Sequence, residues 1–166
     1  MKTKNSSFKL STLPSNNFPT FDEFKTIENF SIEQEQLLDL LNKTSFSMAT
    51  NPDVRFILCG LLLEIKPNEL TAVATDAHRL AISSSILEKK QINNISCIVP
   101  RKAVLELTRV LQDNNEAKVS VGTNQISVKT KGISFVSKLM DGKFPAGYKG
   151  VIPENASIEV LLEKQM

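Results

Sequence analysis

Hydrophobic and polar positions alternate with a period of two over residues 70–75. Leu70, Ala72 and Ala74 oppose Thr71, Val73 and Thr75, and Leu80 and Ile82 oppose Ala81 and Ser83 beyond a polar turn. Such alternation predicts two short strands, 70–75 and 78–84, joined at Asp76-Ala77. A third strand precedes them over 56–65, where Leu61, Leu62 and Leu63 in succession predict burial on both faces. Upstream, residues 26–30 read as a strand leading into a helix. Ser31 with Gln34 has the form of a capping box. Leu37, Leu38 and Leu41 share a helical face, and Glu33, Glu35 and Asp39 make the start acidic, as the helix dipole favours. The helix frays over 44–48 into a loop around Asn51-Pro52-Asp53.

The same order then repeats. Residues 95–99 form a strand, Pro100 opens a helix where its missing N–H costs nothing, and Val104, Leu105, Leu107, Thr108 and Leu111 supply the apolar stripe. Asp113-Asn114-Asn115 ends it. Strands follow at 117–121, 125–130 and 133–139, with turns at Gly122-Thr123-Asn124 and Lys131-Gly132. At an offset of 67 positions Ile32 falls on Val99, Leu37 on Val104, Leu38 on Leu105 and Leu40 on Leu107. The chain is an internal duplication of a β-α-β-β-β unit. Each half is too small to hold a core alone. Paired, the halves predict an α+β fold with two helices side by side on one face of a combined antiparallel sheet, the other face left outward. Residues 1–25 lack periodicity and read as a linker or edge segment pinned by Phe8, Leu10, Phe18 and Phe21, with Phe8-Lys9-Leu10 as a possible short strand. Residues 26–145 form the domain. Residues 146–166 are a Gly/Pro-rich loop and the unfinished start of a further element near 158–162, so the chain reads as a piece of something longer.

Composition narrows the function. With 166 residues and 41% hydrophobic content, one domain with a real core is expected. No apolar run reaches membrane-spanning length, and the polar N-terminus has no signal-peptide core behind it, which argues for the cytoplasm. Cys59 and Cys97 lie in apolar, strand-like sequence and read as buried, reduced thiols. No CxxC or His-Cys cluster supports a metal, and nothing suggests a cofactor. A net charge of +2 is too small to announce a duplex binder. The only histidine, His78, sits in the turn beside Asp76 and Arg79. Those residues alone leave two readings: a polar hairpin whose Asp caps its own backbone, or a site. Acid–base catalysis is the weakest version of a site, because there is no nucleophile elbow, phosphate loop, metal-ligand pair or second histidine.

Five ordered segments carry a resemblance. They are 8–14 with Phe18-Pro19; 44–49 followed by Asp53-Val54-Arg55-Phe56; Val73-Ala74-Thr75-Asp76-Ala77-His78-Arg79-Leu80-Ala81; 98–104; and 137–145. Together they make the sequence similar to the central domain of the bacterial sliding clamps, the beta subunits of DNA polymerase III, over about residues 7–153. The resemblance implies a sliding-clamp fold of two β-α-β-β-β repeats, and a homodimeric ring with helices lining the hole and sheets outside. It implies a non-catalytic processivity factor that holds the polymerase on duplex DNA by topology, with weak, sequence-blind phosphate contact. The DNA-facing residues it suggests are Arg55, Arg101, Lys102 and Arg109; the plain alternative is a solvated helix face. It also implies a groove for short peptides, bearing a glutamine and bulky apolar residues, from the polymerase, the clamp loader and repair proteins. The matching positions are Leu58, Thr75, Ala77, His78, Arg79, Leu80, Pro145 and Val151. Leu58, Leu80, Pro145 and Val151 would wall an apolar anchor, and Thr75, His78 and Arg79 would supply hydrogen bonds. Ala77 stands where the family commonly has glycine, which reads as a small change. The loop 144–153 is one residue longer than usual, with Gly150 where a basic residue often stands. The rival expectation is a split or truncated clamp fragment: a monomer, unable to encircle DNA, that binds clamp peptides weakly at most.

Overall fold

Strand β1 (Thr26–Glu33) turns Phe30 and Ile32 inward and runs directly into helix α1 (Gln34–Ser45). The computed structural model describes residues 2–17, 25–51, 55–88, 93–111, 115–145 and 147–152. The capping box expected at Ser31 does not form. Ser31 lies in β1 opposite Lys118, and the Gln34 amide continues the ladder by donating to the Asn115 carbonyl at 3.0 Å. An amide already bonded by a neighbouring strand leaves a serine cap nothing to satisfy. A 3-10 turn, Phe56–Cys59, then precedes the meander β2 (Gly60–Lys66), β3 (Glu69–Thr75) and β4 (Leu80–Ile86).

The second repeat has β5 (Ile95–Pro100), α2 (Arg101–Val110), β6 (Glu116–Gly122), β7 (Gln125–Thr130) and β8 (Ile133–Lys138). Gln34 and Arg101 open the two helices 67 positions apart, the spacing of the sequence repeat. Pro100 stands one place before its expected position, as the residue capping α2 rather than its first turn.

The strands divide between two sheets instead of one combined sheet, and the division crosses the repeats. β1 pairs antiparallel with β6 in the order β1-β6-β7-β8, and β5 pairs with β2 in the order β4-β3-β2-β5. Each repeat therefore lends its first strand to the other. Both helices and the inner faces of both sheets enclose one core, with Leu40, Leu41, Leu61, Ile65, Leu70, Val104, Leu111 and Ile126 at most 1% exposed. Each such side chain contributes about 1.5–3 kcal/mol by leaving water. α1 lies against β3, β4 and α2, while α2 lies against β2, β5 and β8.

The outer face of β4-β3-β2-β5 is covered in part, while Ile82 and Ile86 on β4 stay exposed. Met140, Phe144 and Tyr148 fold over it and bury Leu62, Val73 and Ile98 beneath them. This accounts for the run Leu61-Leu62-Leu63, all buried, with Leu61 and Leu63 facing the main core and Leu62 the outer cluster. Residues 8–10 form no strand, and Phe8 and Leu10 are 58% and 65% exposed. Phe18, Phe21, the 52–54 loop and the element expected near 158–162 lie outside the described residues.

Candidate functional site

The turn between β3 and β4 is built by side chains folding back on their own backbone. The Asp76 Oδ1 accepts from the His78 and Arg79 amides, each at 3.0 Å, and Oδ2 accepts from Arg79 Nε at 3.0 Å. Those amides hold the Asp76 carboxyl below its ordinary value, the His78 amide first. The Thr75 hydroxyl donates to the Arg79 carbonyl at 2.7 Å and accepts from the Ala77 amide at 3.1 Å. Residues 78 and 79 thus leave the ladder, which explains why β4 starts at Leu80 rather than at His78. Ala77 takes φ +77°, the left-handed region. An alanine in place of glycine is therefore a strained choice here and not a small one.

Around this turn three other stretches converge. The 3-10 turn brings Leu58, buried, with its carbonyl accepting from the Ala49 amide at 2.9 Å. The loop after β8 brings Pro145 and Gly147, and a last 3-10 turn, Tyr148–Val151, brings Tyr148 and Val151. With Thr75, Ala77, His78, Arg79 and Leu80 they line a hollow of about 330 Å³. All eight groove positions expected from the sequence border it. Leu58 and Leu80 form its apolar floor and side; Val151, 72% exposed, stands on the loop wall. The exposed rim carries His78 and the Arg79 guanidinium, whose Cζ sits 5.9 Å from the centre of the Phe46 ring. Of the three hydrogen-bonding residues, Thr75 already spends its proton inside the turn.

Three contributors were missed by sequence reasoning. Arg55, expected to face DNA, lines this hollow. Phe46, 58% exposed, carries the Arg79 cation. Tyr148 forms part of the loop wall; its one signal in the sequence was being the chain's only tyrosine, set between Gly147 and Gly150.

The remaining residues expected to face DNA lie on α2. Lys102 and Arg109, two turns apart, are exposed, and Arg109 Nη1 pairs with Glu106 Oε1 at 3.1 Å. Arg101 is half-buried and donates from Nη1 to the Met48 carbonyl at 3.4 Å, so it also ties α2 to the segment after α1. On α1 the acidic residues include Asp39, in an exposed pair with Lys43 at 2.6 Å. Among the described residues no group of histidine, cysteine, aspartate and glutamate is placed to hold a metal, and no helix is long and apolar enough to cross a membrane.

The family profile of the DNA polymerase III beta subunit, central domain, matches residues 31–146. The beta sliding clamp of Pseudomonas aeruginosa is 43% identical over 166 residues, covering 99% of this chain and 45% of that protein. A crystal structure of the DNA polymerase III subunit beta from Pseudomonas aeruginosa superposes with a TM-score of 0.85 at 44% identity, over 94% of this chain and 42% of that one. The DNA polymerase sliding clamp of Bacillus subtilis gives 0.82 at 27% identity, over 93% and 40%. The chain spans less than half the length of the curated relatives it matches.

Proposed function

The chain belongs to the DNA polymerase III beta subunit family through its central domain, and from that premise we propose that it forms the groove-bearing segment of a non-catalytic sliding clamp in the bacterial cytoplasm. The hollow beside the β3–β4 turn takes the apolar anchor of short peptides from the polymerase, the clamp loader and repair proteins. Leu58, Leu80, Pro145 and Val151 hold the anchor, and His78 and Arg79 bond the peptide backbone or its glutamine. Within a complete dimeric ring, Lys102, Arg109 and Arg101 on α2 face duplex DNA, with Arg55 at the groove end. A ring holds DNA by encirclement, so sparse phosphate contacts suffice.

What carries the reading is convergence: residues far apart in sequence, from Leu58 to Val151, meet around one hollow of about 330 Å³. The test is a titration with a fluorescent peptide bearing a glutamine and leucine and phenylalanine anchors. Saturable binding is expected, weakened at least about tenfold in an Arg79→Ala, Leu80→Ala double variant. A folded chain that binds no peptide would overturn the groove reading for this chain on its own.

A second reading draws on the span of the match, under half of a relative's length. Here the chain by itself is a monomer that binds peptides without encircling DNA. A closed dimer in native mass spectrometry would refute it.

A further inference from the structure

The last turn of the groove's loop wall is deeply attached through Tyr148. In the turn Tyr148–Val151, Tyr148 is the buried residue, 7% exposed, while Val151 is 72% exposed and Lys149 and Gly150 lie open to solvent. Its own hydrogen bonds are local: the Tyr148 amide donates to the Pro145 carbonyl at 3.4 Å and the Gly150 amide to Gly147 at 3.0 Å. These shape the turn without tying it to the sheets. Tyr148 does that. Its ring stands edge-on to Phe144, centroids 6.3 Å apart, over Leu62, Val73 and Ile98. Its hydroxyl donates to Glu64 Oε2 on β2 at 2.9 Å, and the same oxygen receives Lys66 Nζ at 3.3 Å. Glu64 does not border the groove. Tyr148 borders the groove and also contacts Glu64.

We propose that the Tyr148 hydroxyl, latched on the Glu64 carboxylate, is the positioning contact that holds the loop wall of the groove, so that a residue outside the groove governs peptide affinity. The affinity half of this rests on the groove reading above; the loop-holding half does not. An apolar anchor gains most from a wall already in place, because ordering a loop during binding subtracts from affinity. A neutral donor on a carboxylate is among the stronger hydrogen bonds, and its loss here leaves ring packing intact.

Two readouts on the full chain test it. The first is the rate of tryptic cleavage after Lys149, which needs no peptide. Tyr148→Phe and Glu64→Leu are expected to speed it about tenfold, the scale of one hydrogen bond to a charged group. Glu64→Gln, whose amide oxygen still accepts, restores the slow rate. The second is affinity for the same fluorescent peptide. Tyr148→Phe and Glu64→Leu are expected to weaken it several-fold, the double variant no more than either single one, and Glu64→Gln to leave it near the original. Unchanged cleavage in Tyr148→Phe overturns the latch whatever the peptide does. Faster cleavage with unchanged affinity overturns the control of the groove. If the unsubstituted chain and the Arg79→Ala, Leu80→Ala variant are alike in binding no peptide, the groove reading falls, and cleavage alone decides the latch.

Discussion

Ala77 passes through φ +77°, where the Cβ of an L residue crowds its own backbone. Ala77→Gly is expected to raise stability by about 0.5–1 kcal/mol, the relief of strain exceeding glycine's greater freedom when unfolded. Denaturant unfolding monitored by circular dichroism measures it. Gly60 is the opposite case. A Cβ there would meet Ile98 Cγ2 at 2.5 Å and Met140 Sδ at 2.6 Å, and the β-branched Ile98 has little freedom to move aside. Gly60→Ala is expected to cost about 1–3 kcal/mol in the same measurement. At this scale the sequence was legible where residue type and order carry the information. The stretch 73–81 carries the resemblance, and Thr75, Ala77, His78, Arg79 and Leu80 within it border one hollow. Strain at Ala77 was not legible, since a φ angle depends on the hydrogen bonds that close a turn. Nor was Tyr148, which sits in a loop without periodicity and contacts a strand 84 positions away.

The elements themselves followed from apolar spacing. Leu37, Leu40 and Leu41 on α1 and Val104 and Leu107 on α2 are all buried. Leu107→Ala is expected to cost about 2–5 kcal/mol, because α2 touches strands of both sheets and the site has little room to collapse. Alternation reveals which face of a strand is buried but is silent about its neighbour. The single sheet expected from the pattern and the two sheets observed have the same inward residues; only the ladder Phe30↔Val119 and its counterpart Leu62↔Ile98 distinguish them. Phe56–Cys59 was misread for a related reason, a short apolar run being the same in a strand and in a 3-10 turn. On β5, burial pushes the Cys97 thiol up to about 12, and burial with the Glu64 hydrogen bond and the charges of Glu64 and Glu69 pushes Tyr148 up to about 12. Both values are raised on folding, from 9.0 and 10.0. The stabilisation is therefore complete below pH 9.0 and is lost as pH rises towards about 12. A stability profile over that alkaline window should fall steadily, and Cys59, half-buried, should react with a thiol reagent before Cys97 does.

For the whole molecule, a net charge of +2 and an acidic α1 beside a basic α2 set the scale of contact with nucleic acid. Under the clamp reading, the chain alone should bind a short duplex with a dissociation constant of about 100 µM or weaker at physiological salt, and a Lys102→Ala, Arg109→Ala variant should weaken that further. Fluorescence anisotropy against salt concentration measures both. The exchange of first strands has a different reach. A unit that gives its leading strand to a twin and receives the twin's in return is what two separate molecules do in a swapped pair. The protein is such a pair made continuous by the stretch between β4 and β5. Peptide-bond continuity there is dispensable in principle: genes for residues 1–90 and 91–166 expressed together should yield two polypeptides that co-purify one to one, while either alone carries a sheet lacking one member and a core open on one side. Within one molecule, the mutual dependence of a swapped homodimer is reproduced: neither half completes its sheet without the other.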